Sequence, residues 1–312
     1  MTIAIIDGDL LSFKASAANE TRLIKATHIP SKRTKEFKHR TEFKEFIGDS
    51  FPLSDFEVVD VQKADNISYA LHTVKQMINN IVSKCGTDKY EIYLSGSDNF
   101  RDTLPLPTKY KGNREGMLKP LQLREVKQYL IEKQGARVAT GEADDVISTR
   151  QYEGLLRGEK IIGCSTDKDS YGTEGYIFNW DKMDKPFLVE GLGRLWEKDK
   201  KIWGVGYKWK ALQWICGDAI DGLKPTYLAG IKFGEKSAYN ILKDLETEEQ
   251  VNKAVHDLYL KWYPENKVFI DQCGIQRDFN YLQIAQTYMD GVHMERWVGD
   301  RINLKEIWKN YA

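Results

Sequence analysis

The chain has 312 residues, 41% hydrophobic and 29% charged, which excludes a disordered chain and fits a globular protein able to bury a full core. No apolar run approaches a membrane span, and the four cysteines form no CxxC pair, so a zinc finger and a disulfide framework are disfavoured and a cytoplasmic setting is expected. Basic and acidic side chains number 46 each and cancel, so the total declares no nucleic-acid binder and the placement of the acids has to carry the reading.

In chain order, residues 2–6 form a short β-branched run that predicts a buried strand ending at Asp7, with a helix following through Ala18. The stretch 31–46 carries six Lys/Arg against three Glu and reads as a solvated helical face or loop. Over 61–84 apolar residues recur at helical spacing (Ala70, Val74, Met77, Ile78, Ile81), and Gly86 ends the helix. A strand at 90–94, a helix at 120–133, a short strand at 137–138, a helix opening near Glu142 and a strand at 160–164 follow. This alternation predicts an α/β fold with a mostly parallel central sheet flanked by helices. Beyond Trp196 the pattern turns helical, at 208–216, 234–245, 248–262 and 276–289. The expected organisation is an α/β core over 1–195 and a helical portion over 196–312.

Four acidic sets share one placement. Asp7 follows the first strand and Asp98 the strand at 90–94; Glu142, Asp144 and Asp145 open a helix after the next strand, and Asp167 and Asp169 follow the strand at 160–164. Ligands of an open parallel sheet bind outside the carboxyl ends of its strands, so all four sets are expected on one edge. Any one of these acids is explained by a helix's preference for carboxylates in its first turn, and Asp9 reads as such a cap. Their convergence is not, because crowded carboxylates need cations. Oxygen ligands without nearby cysteine or histidine favour magnesium or manganese, and two such ions suit phosphodiester hydrolysis. Between Asp98 and the next helix lies Lys109-Tyr110-Lys111-Gly112-Asn113-Arg114. It offers Lys111 and Arg114 as a clamp on phosphate and Tyr110 as a ring for base stacking.

Here the sequence resembles the flap endonuclease or 5′-nuclease family, which includes the 5′-nuclease domain of bacterial DNA polymerase I and the phage 5′-3′ exonucleases. The resemblance rests on an ordered set: Ile6-Asp7-Gly8, Asp98, Tyr110-Lys111-Gly112-Asn113-Arg114, Gly141-Glu142-Ala143-Asp144-Asp145, Ser165-Thr166-Asp167-Lys168-Asp169 and Gly217-Asp218-Ala219-Ile220-Asp221-Gly222. It implies Asp7, Asp98, Glu142, Asp144 and Asp145 as ligands of a first metal site, and Asp167, Asp169, Asp218 and Asp221 as ligands of a second. It implies Lys111 and Arg114, with Tyr110, as the group engaging the scissile phosphate. It further implies that 208–245 is a helix–three-turn–helix element gripping duplex DNA, with Gly230, Gly234, Lys236 and Lys109 among the DNA contacts and K+ at the hairpin. The implied activity is 5′-3′ exonuclease with 5′-flap endonuclease action on DNA. The hairpin departs from the family's Gly-Ile-Gly by two extra residues between Gly230-Ile231 and Gly234, which bears on the potassium site. Residues 19–60 have no counterpart, and no match extends beyond about residue 250.

Two other readings use the same residues. A haloacid-dehalogenase-type phosphatase accounts for the run into Asp7-Gly8-Asp9 and for Ser95, with Asp7 as covalent nucleophile, but leaves 110–114 and 217–221 unexplained. A non-catalytic DNA-binding protein on a nuclease fold would show lost acids, and each expected position is filled.

Overall fold

A computed structural model describes residues 1–311. Its contacts divide the chain into two compact units. The first takes Met1–Asp9, Asn80–Met117 and the chain from Gly135 onward; the second takes Leu10–Asn79 and Leu118–Gln134. The expected boundary at 195/196 falls inside the first unit.

The first unit is built on a six-stranded sheet. Strands β1 (Thr2–Asp7), β5 (Tyr90–Leu94), β6 (Arg137–Val138), β7 (Lys160–Cys164) and β8 (Gly175–Phe178) run parallel, and β9 (Phe187–Val189) closes one edge antiparallel, in the order β6-β5-β1-β7-β8-β9. The central strands read as near-continuous apolar runs because both faces are covered: Ala4, Ile5, Ile6 and Ile162 are fully buried. Helix α5 (Ala143–Arg157) packs on β7 so closely that a Cβ on its Gly154 would stand 2.3 Å from Ile161, so only glycine fits there. Ile3, Ile5, Tyr93, Ala143, Ile147 and Ile161 form the core beneath the carboxyl edge of the strands.

The helical part lies in the same unit: α6 (Tyr207–Cys216), α7 (Glu235–Leu242), α8 (Glu248–Trp262), α9 (Tyr281–Val292) and α10 (Leu304–Ile307). Their apolar faces close over Trp214, Tyr259, Tyr263 and Tyr288, all almost completely buried. Two hairpins interrupt the helices expected here, β10 (Arg194–Lys198) with β11 (Lys201–Val205), and β12 (Lys267–Ile270) with β13 (Gln276–Phe279). The helix expected from 276 therefore begins at Tyr281, where the Asn280 side chain and Gln283 form a reciprocal cap.

The second unit corrects the reading of residues 19–60. Of the stretch read as solvated helix or loop, Thr34–Phe37 is instead strand β3 of an antiparallel sheet with β2 (Glu20–His28) and β4 (Phe56–Ala64), in the order β3-β2-β4, while Arg40–Ile47 is helix α2, in line with the helical reading. Its core is small: Ile24, Ala26, Phe37, Phe43 and Ile47. The lysines of this stretch are exposed, as expected, and Lys35 also lies over a ring, its Nζ 3.7 Å from Phe46. The helix expected from 61 starts later, at α3 (Ile67–Cys85), because β-branched residues 58–61 extend β4 and Asn66 accepts from the Ser68 N–H at the turn. Helices α1 (Gly8–Ala17) and α4 (Leu123–Gln134) complete the elements. No helix among the described residues is long and apolar enough to cross a membrane.

Candidate active site

Every element carrying an expected acid ends on the carboxyl edge of the first unit's sheet or against it. Asp7 closes β1 and is buried; its carboxylate accepts from the Asp9 N–H (3.0 Å) and from the Ser165 hydroxyl (2.9 Å). Ser165, just past β7, also accepts from the Asp167 N–H (3.1 Å), so one hydroxyl ties two of the acids together. Ser95, just past β5, accepts from the Ala143 N–H (3.0 Å) and fixes the start of α5. Its own N–H donates to Asp9 (2.8 Å), so the Asp9 carboxylate joins the ends of two strands from inside the first turn of α1, in place of the expected cap.

Around this edge the carboxylates form two groups that merge. Asp144, half-buried in the first turn of α5, is pushed well above the usual carboxylate range by burial and by Asp7, Asp167 and Glu142, with Lys111 opposing. Asp169 is pushed up in the same direction by burial and by Asp167, Asp218 and Asp221, with Lys168 opposing. Asp221 is raised chiefly by burial, against Lys111 and Arg114. The acids are therefore near enough to interfere with one another's ionisation.

Basic side chains hold the edge together. Lys111 pairs with Glu142, Arg114 with Asp221, and Lys168 with Asp218 at 3.0 Å. Burial pulls the Lys111 ammonium down, and Glu142 and Asp221 more than offset it, so the side chain stays charged. The loop bearing Lys111 and Arg114 is docked on the 217–222 turn through the Lys111 N–H to the Asp221 carbonyl (2.8 Å), Asn113 to the Ala219 carbonyl (2.8 Å) and Thr108 to the Gly222 carbonyl (3.0 Å). Gly222 has φ +76°, and a Cβ there would meet the Lys109 carbonyl at 2.8 Å, so the approach of the two loops depends on glycine.

Two expectations are corrected, those for Tyr110 and Asp145. Tyr110 is no surface for base stacking: its ring is buried and its hydroxyl donates toward Asp221 (3.2 Å) and Glu142 (3.3 Å), because a buried phenol needs inward acceptors. Asp145 is already taken by other partners: both its oxygens accept from Arg101, at 2.6 and 3.1 Å, and one also from the Glu295 N–H. Asp98 is exposed and accepts from the Ser97 hydroxyl at 3.3 Å, although its backbone N–H is tied to Thr140. Of the expected DNA contacts, Lys109 is paired with Glu115 and Lys236 with Glu197; Gly230 has φ +66° and Gly234 caps α7.

Sequence reasoning missed Arg101, Lys168 as a partner, the hydrogen-bonding parts of Ser95 and Ser165, and Gln213, which donates to Asp169. Arg101 is the largest omission. It is fully buried, contacts Glu142 at 2.9 Å as well as Asp145, and donates to the Gly291 (3.0 Å) and His293 (2.7 Å) carbonyls. No spacing rule flags a single arginine three residues beyond an aspartate.

The donor set suits hard divalent cations: several carboxylates, no thiol or imidazole among them, and mutual repulsion that bound positive charge relieves. As they stand, no three carboxylate, imidazole or thiol groups among the described residues converge closely enough to hold an ion. The bases named above occupy oxygens that a cation would take.

The chain has the fold of the 5′-nucleases. It is similar over 100% of its length to a crystal structure of the T5 D15 protein co-crystallised with metal ions, covering 97% of that chain at 13% identity and a TM-score of 0.50. It is similar over 100% of its length to a bacteriophage T5 D15 flap endonuclease pseudo-enzyme–product complex with DNA and metal ions, covering 98% of that chain at 14% identity and a TM-score of 0.51. No protein-family model and no curated protein sequence matches it.

Proposed function

We propose that the chain is a divalent-metal-dependent 5′-nuclease acting on DNA, a 5′-3′ exonuclease with 5′-flap endonuclease action. The observation that supports this most is the gathering of Asp7, Glu142, Asp144, Asp167, Asp169, Asp218 and Asp221 on one side of the sheet, with Lys111 and Arg114 as their counter-charges. Glu142, Asp144, Asp7 and Asp167 would hold one Mg2+ or Mn2+, and Asp167, Asp169, Asp218 and Asp221 a second. When bound, such cations supply Lewis acidity toward the phosphate and lower the pKa of an attacking water.

The residues themselves do the rest. Lys111 and Arg114 neutralise Glu142 and Asp221 here, and both bases would be free to face the scissile phosphate wherever those oxygens were taken by a cation. Tyr110 holds Asp221 and Glu142 in place from below, a positioning part rather than a contact with DNA. Ser165 fixes Asp7 relative to Asp167. The organisation proposed for DNA binding keeps 1–195 as the nuclease core and 196–312 as the helical portion. In the latter the 226–234 hairpin and the start of α7 take the duplex backbone, Gly230 and Gly234 presenting main-chain groups to a K+ ion or phosphate. The likeness to the DNA-bound phage structure is consistent with DNA as substrate.

Nothing in the geometry favours the phosphatase reading, since the Asp7 carboxylate is buried and already accepts two hydrogen bonds. The test is Asp144→Asn, assayed for cleavage in magnesium and for duplex binding in calcium or EDTA. Lost cleavage with retained binding supports the metal site; cleavage at the wild-type rate removes it.

A further inference from the structure

A cavity of about 550 Å3 opens in the first unit between α5, the 172–174 turn, α6, α8 and the C-terminal segment, and none of its lining residues is one of the carboxylates described above. Its size suits a small-molecule site, for which about 300–1,000 Å3 is usual. Three features distinguish it from a packing defect. Lys210 lines it half-buried, its ammonium 5.9 Å from the Tyr207 ring and without a hydrogen bond or ion pair among the described residues. Trp297 presents a half-exposed indole to it. Arg296 is fixed in place, by two bonds to Asp300 (2.7 and 3.2 Å) and by lying 4.7 Å from the Trp297 ring and 5.7 Å from that of Tyr152.

We propose that this cavity is a second ligand site that takes a nucleoside monophosphate, its phosphate on Lys210 and Arg296 and its base against Trp297. An ammonium with only an aromatic ring beside it, next to a rigid guanidinium, selects an anion, and an indole at the opening selects a flat ring. The exposed Glu174 and Glu248 at the opening disfavour a polyanion such as a DNA strand and leave room for one compact phosphate. Burial draws the Lys210 ammonium down to about 8, Arg296 adds to the fall, and Glu174, Asp300 and Glu248 oppose it; the neighbouring His293 is held neutral. A bound phosphate would give Lys210 the direct ion pair that Glu174, Asp300 and Glu248 do not make, and keep it protonated. The inference rests on the nuclease reading only for the ligand's source, since stepwise exonuclease action releases this molecule; a free nucleotide offers the same chemistry.

The experiment is calorimetric titration of the full chain with dAMP in EDTA at pH 7, with no DNA present, so that its outcome is independent of cleavage. One-to-one binding is expected, weakened about tenfold or more by Lys210→Met, weakened by Trp297→Ala, and unchanged by Asp144→Asn. Inorganic phosphate alone is expected to bind less tightly than dAMP. Trp297 is half exposed, so its truncation spares the fold and keeps the test valid if Lys210→Met misfolds. Absence of saturable binding, equal binding by both cavity variants, loss in Asp144→Asn, or phosphate binding as tightly as dAMP would each overturn the assignment. If cleavage of DNA fails while dAMP binds as described, the nuclease reading falls and this site stands.

Discussion

The guanidinium of Arg101 grips the carboxylate of Asp145 through two parallel hydrogen bonds, 2.6 and 3.1 Å, with the arginine entirely out of solvent. The same arginine donates to the carbonyls of Gly291 and His293, so the start of α5 and the end of α9 share one cation. Asp145 and Glu142 outweigh the burial of Arg101 and keep it charged. Removing one member of a buried pair leaves the other charge unpaired, which costs about 3–5 kcal/mol. Arg101→Met is expected to lower the unfolding free energy from urea titration by that amount, with a lower midpoint, and Arg101→Lys to restore little, because an ammonium cannot reproduce the fork. A midpoint unchanged in Arg101→Met would show that the pair is not holding these elements together.

Lys111 is expected to act on the chemical step. Lys111→Ala removes a charge facing the phosphate while leaving the helical portion intact, so single-turnover cleavage should fall about 10²–10³-fold with duplex affinity little changed. A variant that merely binds DNA more weakly, with its single-turnover rate preserved, contradicts the part assigned to Lys111.

How much of this was legible in the sequence differs by element. The strands at 90–94 and 160–164 carry apolar runs bounded by turns, and the structure reproduces both ranges as β5 and β7. Asp98, Asp167 and Asp169 were legible because they follow those strands, whereas Asp218 and Asp221, past helix α6, were named only through the resemblance. The β10–β11 hairpin was not: its turn uses Asp199 and Lys200, both with positive φ (53° and 62°), in place of the Asn-Gly pair that signals such a turn. Strand β2 was hidden because only Ile24 and Ala26 are fully buried along it, so its alternation is faint. Arg101 was hidden for another reason. Its partners Asp145, Gly291 and His293 are distant in sequence, and only the folded chain brings them together. Tyr110 and Asp145 were read from chain order alone, which gives an acid's or a ring's position but not the direction its side chain faces.

Acid sensitivity follows from His293. Burial draws its pKa from 6.5 to about 4 against the pull of Asp300, with which its Nε2 pairs at 2.9 Å, and its Nδ1 is buried without a partner. Because the folded value is below the unfolded one, the unfolded chain binds more protons between pH 6.5 and 4. Stability is therefore complete above about pH 6.5 and declines as pH falls toward 4, by about 3 kcal/mol in total. Asp300, held down to about 2, adds a further loss only below the ordinary carboxylate range. His293→Gln should flatten the decline between pH 7 and 4 in denaturant titrations; an unchanged slope removes His293 as its source.

Metal should be visible without any substrate. Asp144 and Asp169 are crowded by other carboxylates, and a divalent cation relieves that repulsion only in the folded chain. Millimolar magnesium or manganese is expected to raise the thermal midpoint at pH 8, and Asp169→Asn to reduce the rise. An identical rise in Asp169→Asn would place the cation elsewhere.

The central claim is metal-dependent cutting from a 5′ end, and it is tested most directly on duplex and 5′-flap DNA labelled separately at each terminus. Incubated with magnesium, the 5′ label should be released in short products while the 3′ label stays on long ones, the flap should be cut near its junction, and EDTA should abolish both. Intact substrates in magnesium and manganese alike, or release from the 3′ end, would contradict the account.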